Sequence, residues 1–279
     1  MPTRLCLSAF GDEIDADLAT QLDVLVSEGV QHLEIRGAWG KNILEFDGGE
    51  INRAQALLKE RGVKVSAIGS PIGKSQLGQP PAFELERLER AIAAAEAFDT
   101  QLIRIFSFFV GENDHDRARP DVFERIARWT ERAVAAGVTL VHENEKEIYG
   151  DIPQRCQELL EAVNSPALRN AFDPANYVQV GVQPMAQAWP LLADYTTHVH
   201  IKDAVFADGS VRPAGEGDGA LPALLQALVD RRYDGFLTLE PHLKIAGRFG
   251  GTSGEAGMRL AIRALRKLLE PFREQVIIQ

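Results

Sequence analysis

The sequence predicts a single (β/α)8 TIM barrel, with residues 1–279 forming one domain. Three observations lead there. Short apolar runs alternate eight times with longer amphipathic stretches, and strands that alternate with helices imply parallel β pairing. No shift in composition divides the 279 residues, a length at which one such barrel is common. The glycine-rich fingerprint of an open, doubly wound sheet is missing after the first run, where the chain reads SAFGDE.

In chain order the strand candidates are RLCLSAF, VQHLEIRG, VKVSAIGS, QLIRIFSFF, VTLVHENE, RNAFDP, THVHIKD and GFLTLEPH. Helical patterns such as LATQLDVLVSEG, INRAQALLKERG, FELERLERAIAAAEAF and FERIARWTERAVAAG lie between them. Three of these patterns end at Gly29, Gly62 and Gly137, the residue type suited to a left-handed helix C-cap. The period-two alternation of a strand then sorts its side chains. Leu33, Ile35, Ile103, Ile105, Val199, Ile201, Leu237 and Leu239 should pack outward on helices. Glu34, Arg36, Arg104, Phe106, His198, His200, Thr238 and Glu240 should face the barrel interior, and Thr139, Val141 and Glu143 share one face.

With 45% hydrophobic residues the chain has material for a large core, and no apolar run approaches the roughly 20 residues of a membrane span. The opening MPTRLCLSAFGDE lacks a signal-peptide pattern, and Cys6 and Cys156 show no ligand spacing and read as reduced thiols. A cytoplasmic protein with no membrane partner is expected. The net charge of −10, without a Lys/Arg cluster, argues against a nucleic-acid partner, which is bound largely through neutralised phosphates.

The polar residues gather at the C-terminal strand ends, where barrel enzymes carry their chemistry. Glu143, Asp173, His200 and Glu240 end strands five, six, seven and eight, neighbours in a closed barrel. Taken singly, Asp173 before Pro174 could open a turn, a strand-end glutamate could form an ion pair, and His198, one layer deeper, could be a core histidine. Together, three carboxylates would repel one another unless protonated or bound to a cation. Three oxygens and one imidazole suit one divalent metal ion: Mn²⁺, Mg²⁺, Co²⁺ or Zn²⁺. Arg36 and Arg104, as interior cations, should orient substrate or pair with Glu34. His142 and His242 are expected near the site or in structural roles, and His32 and His115 in structural roles.

SAFGDEI, IGSPIGK, HENE, FDPANY, HVHIKDA, GEGDG, YDGFLTLEPH and GGTSG occur in an order that resembles the sugar phosphate isomerase/epimerase family, the xylose-isomerase-like TIM barrels, over nearly the full length. The resemblance implies the same metal ligands, Glu143, Asp173, His200 and Glu240. It also implies a metal-dependent isomerase or epimerase acting on a ketose or keto-polyol through an enediolate, with Glu143 and Glu240 as catalytic base and acid. Where ketohexose 3-epimerases of the family carry a histidine, three residues after the aspartate, this chain has Asn176, expected to hold a substrate hydroxyl or carbonyl. The resemblance places Arg212 against substrate. Lys202 is expected either to polarise a substrate oxygen or to pair with Asp203. The loop GRFGGTSGEAG reads as a tight turn or hinge rather than a phosphate site, with Arg248 the basic group nearby.

The expected partner is a small-molecule sugar or polyol, alongside a possible homo-oligomer. The alternatives are a metal-dependent dehydratase of a keto-cyclitol or dehydroshikimate-like acid, and a barrel kept as a non-catalytic binding subunit. An abasic-site endonuclease is disfavoured because its additional histidines are missing; the third strand ends AIGSPIGK.

Overall fold

The computed structural model describes residues 3–247 and 250–279. Eight parallel strands close into a barrel: β1 (Thr3–Phe10), β2 (His32–Ile35), β3 (Lys64–Ile68), β4 (Leu102–Ile105), β5 (Thr139–Glu143), β6 (Leu168–Phe172), β7 (Thr196–Ile201) and β8 (Gly235–Leu239). The ring closes where β1 pairs with β8, from Leu5↔Gly235 to Ala9↔Leu239. Period two sorts the side chains as the sequence predicts. Leu33, Ile35, Ile103, Ile105, Val199, Ile201, Leu237 and Leu239 join the apolar layer beneath the helices. Glu34, Arg104, Glu143, His198, His200 and Thr238 are buried as well.

The surrounding helices are α1 (Leu18–Ser27), α2 (Gly48–Arg61), α3 (Pro81–Ala97), α4 (His115–Ala136), α5 (Pro153–Val163), the short α6 (Pro174–Gln179), α7 (Leu221–Asp230) and α8 (Gly254–Leu269). Local chemistry sets their ends. Asp47 and Glu50 form a reciprocal capping box at the start of α2. Gly62 and Gly137 end α2 and α4 at φ 66° and 70°, a region that side chains with a Cβ disfavour. In α8, Met258, Ala261, Ile262, Leu265 and Leu269 recur at three- and four-residue intervals and form its buried stripe.

One strand of the barrel sheet was not predicted. The pairing of β1 with β2 starts only at Ser8, which leaves the lower edge of β1 open, and β9 (Val276–Ile278) occupies it from Thr3↔Val276 to Leu5↔Ile278. At the other end of the barrel three hairpins follow the strand tips, Gly37–Ala38 with Lys41–Asn42, Asp203–Ala204 with Val211–Arg212 and Ile245–Gly247 with Gly250–Thr252. Both cysteines are free. Among the described residues, no helix is long and apolar enough to cross a membrane.

Candidate active site

Strand register brings the four strand-end residues together. Thr238 pairs with His200, and Glu240 follows two residues later; Phe172 pairs with Val199, which puts Asp173 level with His200. Glu143 is the last residue of β5. One ligand atom from each of Glu143, Asp173, His200 and Glu240 lies within 4.8 Å of all the others, and all four residues are buried. Asp173 also caps α6, its Oδ1 accepting from the Asn176 backbone N–H at 2.9 Å.

The donor set fits a divalent cation. His200 Nδ1 is buried without an aligned hydrogen-bond partner, yet sits 3.4 Å from Glu143 Oε1 and 3.8 Å from Glu240 Oε2. Metal–ligand bonds of about 2.0–2.2 Å allow donors at these separations to share one ion. Burial disfavours charge on His200, but the Glu143 and Glu34 carboxylates outweigh it and push the imidazole up to about 10. Burial likewise opposes ionisation of Glu143, and His200 and Arg104 reverse it, down to about 2. Asp173 goes the other way: burial pushes it up to about 6, against the pull of Lys202. Such opposed shifts in one buried cluster are common at functional sites.

Cations surround the cluster. Arg36 donates through Nε to Asp12 Oδ2 at 2.7 Å and through Nη1 to Glu240 Oε1 at 2.8 Å. Arg104 Nη1 reaches Glu143 Oε2 at 3.1 Å and lies 3.7 Å from Glu240 Oε1. The expected alternative of an ion pair between Glu34 and either arginine is not formed, because Glu34 Oε2 is occupied by His198 Nε2 at 2.6 Å. Lys202 Nζ lies 2.8 Å from Asp173 Oδ2 and 3.2 Å from Glu240 Oε2. The expected alternative of a Lys202–Asp203 pair is not formed either. Asp203 instead accepts from the backbone N–H groups of Gly215, Gly217 and Gly219 at 2.8–3.0 Å, so the GEGDG motif is a cradle for this carboxylate. Asn176 uses its amide nitrogen on Glu143 Oε1 (3.1 Å) and the Asn144 carbonyl (2.8 Å).

Arg212 stands apart: it is exposed, and its Nη1 donates to the Val211 carbonyl. Arg248 lies outside the described residues. Further along that loop, Ser253 Oγ donates to Glu13 Oε2 at 2.6 Å. On the helix-facing side of β5, His142 is buried with Nε2 2.9 Å from Ser107 Oγ, and burial pushes it down to about 4. His32 packs edge-on against Phe236, and His115 Nδ1 lies 3.0 Å from the Glu112 carbonyl.

Sequence reasoning missed Asp12, Glu13, Lys74 and Glu145. His242 Nε2 lies 3.3 Å from Glu13 Oε1 and 3.4 Å from Glu240 Oε1, so it belongs to the rim of the cluster. Lys74 Nζ and Glu145 Oε2 pair at 3.0 Å. The signal was present in SAFGDE, IGSPIGK and HENE, but these four residues lie in loops beyond the strands or at their very ends, where alternation no longer sorts side chains.

A closed parallel barrel with buried carboxylates and a histidine at its C-terminal end has the layout of a barrel enzyme. The family model described as xylose isomerase-like TIM barrel matches residues 22–268, and the chain belongs to that family. It is 29% identical to 2-epi-5-epi-valiolone 7-phosphate 2-epimerase of an Actinoplanes species over 209 residues, 72% of this chain and 73% of that protein. It is 30% identical to fructoselysine 3-epimerase of Escherichia coli O157:H7 over 121 residues, 42% of this chain and 43% of that one. Its fold is similar to that of the probable 3-DHS dehydratase involved in petrobactin synthesis from Bacillus anthracis. That structure has a TM-score of 0.75 and 19% identity, with 94% of this chain and 98% of that chain covered.

Proposed function

We propose that the protein is a divalent-metal-dependent sugar epimerase or isomerase, acting on a ketose or keto-polyol through an enediolate. The observation that carries the reading is the convergence of Glu143, Asp173, His200 and Glu240 on one point. Beside it lies a cleft of about 380 Å³ that Arg36 and Arg104 line. The two relatives are both named as epimerases, which favours epimerisation within this class.

Glu143, Asp173, His200 and Glu240 would hold the cation, which when bound supplies positive charge to a carbonyl oxygen as that oxygen becomes negative. The chain's own groups do the rest. Glu143 and Glu240 are both held ionised, the first by His200 and Arg104, the second by Lys202 and His242. An ionised carboxylate is ready to accept a carbon-bound proton, but one stabilised this strongly is a weak base. It serves only where the substrate proton has itself been acidified. One glutamate takes the proton and becomes neutral; the other, having taken a proton from solvent, delivers it to the opposite face, which inverts the carbon, and the first then releases its proton to solvent. If a single glutamate does both, the proton moves between carbons and the reaction is an isomerisation. Asn176 and Arg104 fix the Glu143 carboxylate, and Arg36 and Lys202 fix that of Glu240.

Proton NMR in D₂O tests the reading. Mn²⁺- or Co²⁺-loaded protein is expected to exchange one carbon-bound proton of a ketose and to yield its epimer. Loss of water with no epimer would move the protein to the dehydratases, and metal-loaded protein that exchanges no proton on a panel of ketoses and keto-cyclitols would end the proposal.

A further inference from the structure

Two buried atoms at the rim of the cluster face one another without a hydrogen bond. Glu13 Oε1 and His242 Nε2 lie 3.3 Å apart, and His242 Nε2 is 3.4 Å from Glu240 Oε1. Glu13 is 1% exposed and His242 8%, and neither of these two atoms has a hydrogen-bond partner. One ligand atom from each of Glu13, His242 and Glu240 lies within 4.8 Å of the others. Buried polar atoms left unpaired are costly, and two of them here turn toward a single point.

The surrounding bonds hold these atoms in place and do not satisfy them. The other oxygen of Glu13, Oε2, accepts from the His242 backbone N–H at 2.9 Å and from Ser253 Oγ at 2.6 Å. Ser253 donates its own N–H to the Glu13 carbonyl at 2.9 Å, and its Oγ accepts from the Leu243 N–H at 3.0 Å. His242 is held at φ 47°, in the left-handed region that a residue with a Cβ disfavours. Among the described residues no lysine or arginine forms an ion pair with Glu13, whereas Glu143, Asp173 and Glu240 each meet one. A buried carboxylate is normally paired with a cation or bound to a metal.

We propose that Glu13, His242 and Glu240 form a second divalent-cation site, joined to the first through the two oxygens of Glu240. Oε2 of Glu240 faces His200, a ligand of the first site, at 3.8 Å, while Oε1 faces His242. Donors 3.3 and 3.4 Å apart can share one ion at metal–ligand bonds of about 2.0–2.2 Å. Two carboxylates and one imidazole suit Mn²⁺, Co²⁺ or Zn²⁺ and leave coordination positions open. Arg36 Nη1, 2.8 Å from Glu240 Oε1, competes for that oxygen. With three protein ligands and this competitor, the second site fills after the first and at higher metal concentration. The inference rests on the reading of the first cluster as a metal site. Glu13 and His242 take no part in that site, so the two can be counted separately.

The test counts ions on the full chain. Protein stripped with chelator is titrated with Mn²⁺ and followed by calorimetry and native mass spectrometry. Two ions per chain are expected in the wild type, falling to one in Glu13→Gln and in His242→Asn, with the tighter ion retained. Glu13→Gln keeps an oxygen for Ser253 and the His242 N–H but loses its charge, and asparagine tolerates a left-handed backbone. Should Glu13→Gln not fold, His242→Asn carries the comparison. Electron paramagnetic resonance at full loading should show a coupled Mn²⁺ pair, since the ions share a carboxylate. One ion in the wild type at saturating Mn²⁺ overturns the inference and leaves the epimerase reading intact. Two ions in either folded variant, or an uncoupled pair in the wild type, also overturn it, because the second ion would then lie elsewhere. Wild-type protein that binds no Mn²⁺ ends the inference and the epimerase reading together.

Discussion

The Glu34 carboxylate lies 3.4 Å from Nε2 of His200, on the opposite edge of the ring from Nδ1, which faces Glu143 and Glu240. A buried carboxylate on one ring nitrogen holds the proton there and leaves the lone pair on the other. With a cation bound, Glu34 would orient His200 as a ligand, and His198, 2.6 Å from the same oxygen, fixes Glu34 in turn. Replacing Glu34 by Gln is expected to weaken Mn²⁺ or Co²⁺ binding by about 10- to 100-fold while the four ligands stay in place. Calorimetric titration checks this, and unchanged affinity would make Glu34 a purely structural partner of His198.

One divalent cation per chain should raise thermal stability. At about a hundredfold excess over the dissociation constant the gain is about 2.7 kcal/mol. In Asp173→Asn the metal should add little, whereas Arg212→Ala, with its exposed side chain, should respond like the wild type. Melting curves with and without Mn²⁺, Co²⁺ and Zn²⁺ decide the matter, together with metal analysis of protein purified without chelator.

Glu240→Gln is expected to lower kcat by at least about a hundredfold with a much smaller change in KM, the pattern of a group that acts in the transition state. An amide can still offer the metal an oxygen but cannot accept a proton. Retained metal with near-normal turnover would reduce Glu240 to a ligand and direct attention to His242, 3.4 Å from it.

The buried His142 gives a signed pH dependence. Burial holds it down at about 4 in the folded protein, against an ordinary value near 6.5. Above pH 6.5 neither state carries this proton. As pH falls from about 6.5 to 4 the unfolded chain takes it up and the folded chain does not, so stability drops by about 3 kcal/mol. Urea unfolding between pH 7 and 4 should show a shallower acid limb in His142→Gln, and parallel limbs would count against the assignment.

Gly73→Ala should destabilise the protein by about 1–3 kcal/mol or more. Gly73 has φ +83°, and an added Cβ would lie 2.1 Å from the Phe106 carbonyl oxygen. That same stretch positions Phe106 beneath Arg104 and Lys74, so substrate affinity should fall along with the melting temperature.

Much of the barrel and the polar lining of its C-terminal end were legible in the sequence, because both follow from local rules. Period two alone separates Leu237 and Leu239 from Thr238 and Glu240, and glycine chemistry alone ends α2 at Gly62. Four strand ends in succession bring Glu143, Asp173, His200 and Glu240 into one group once parallel neighbours are assumed. The strand β9 was not legible, because VIIQ is short and acquires its partner only through the open lower edge of β1.

The partners of each charge were decided by the tertiary structure alone. Arg36 meets Asp12 and Glu240, 204 positions along the chain from it, rather than Glu34 two residues away. Lys202 meets Asp173 and Glu240 rather than its neighbour Asp203, because successive side chains on an extended chain point to opposite faces. Periodicity states which face a side chain takes; it carries no information about what approaches that face from a distant strand. Pairing across the barrel depends on bulges such as those at Leu33/Glu34 and Asn170/Ala171, on loop paths, and on competition among several buried charges for few partners. These are properties of the closed structure, and they decided which of the buried charges meet.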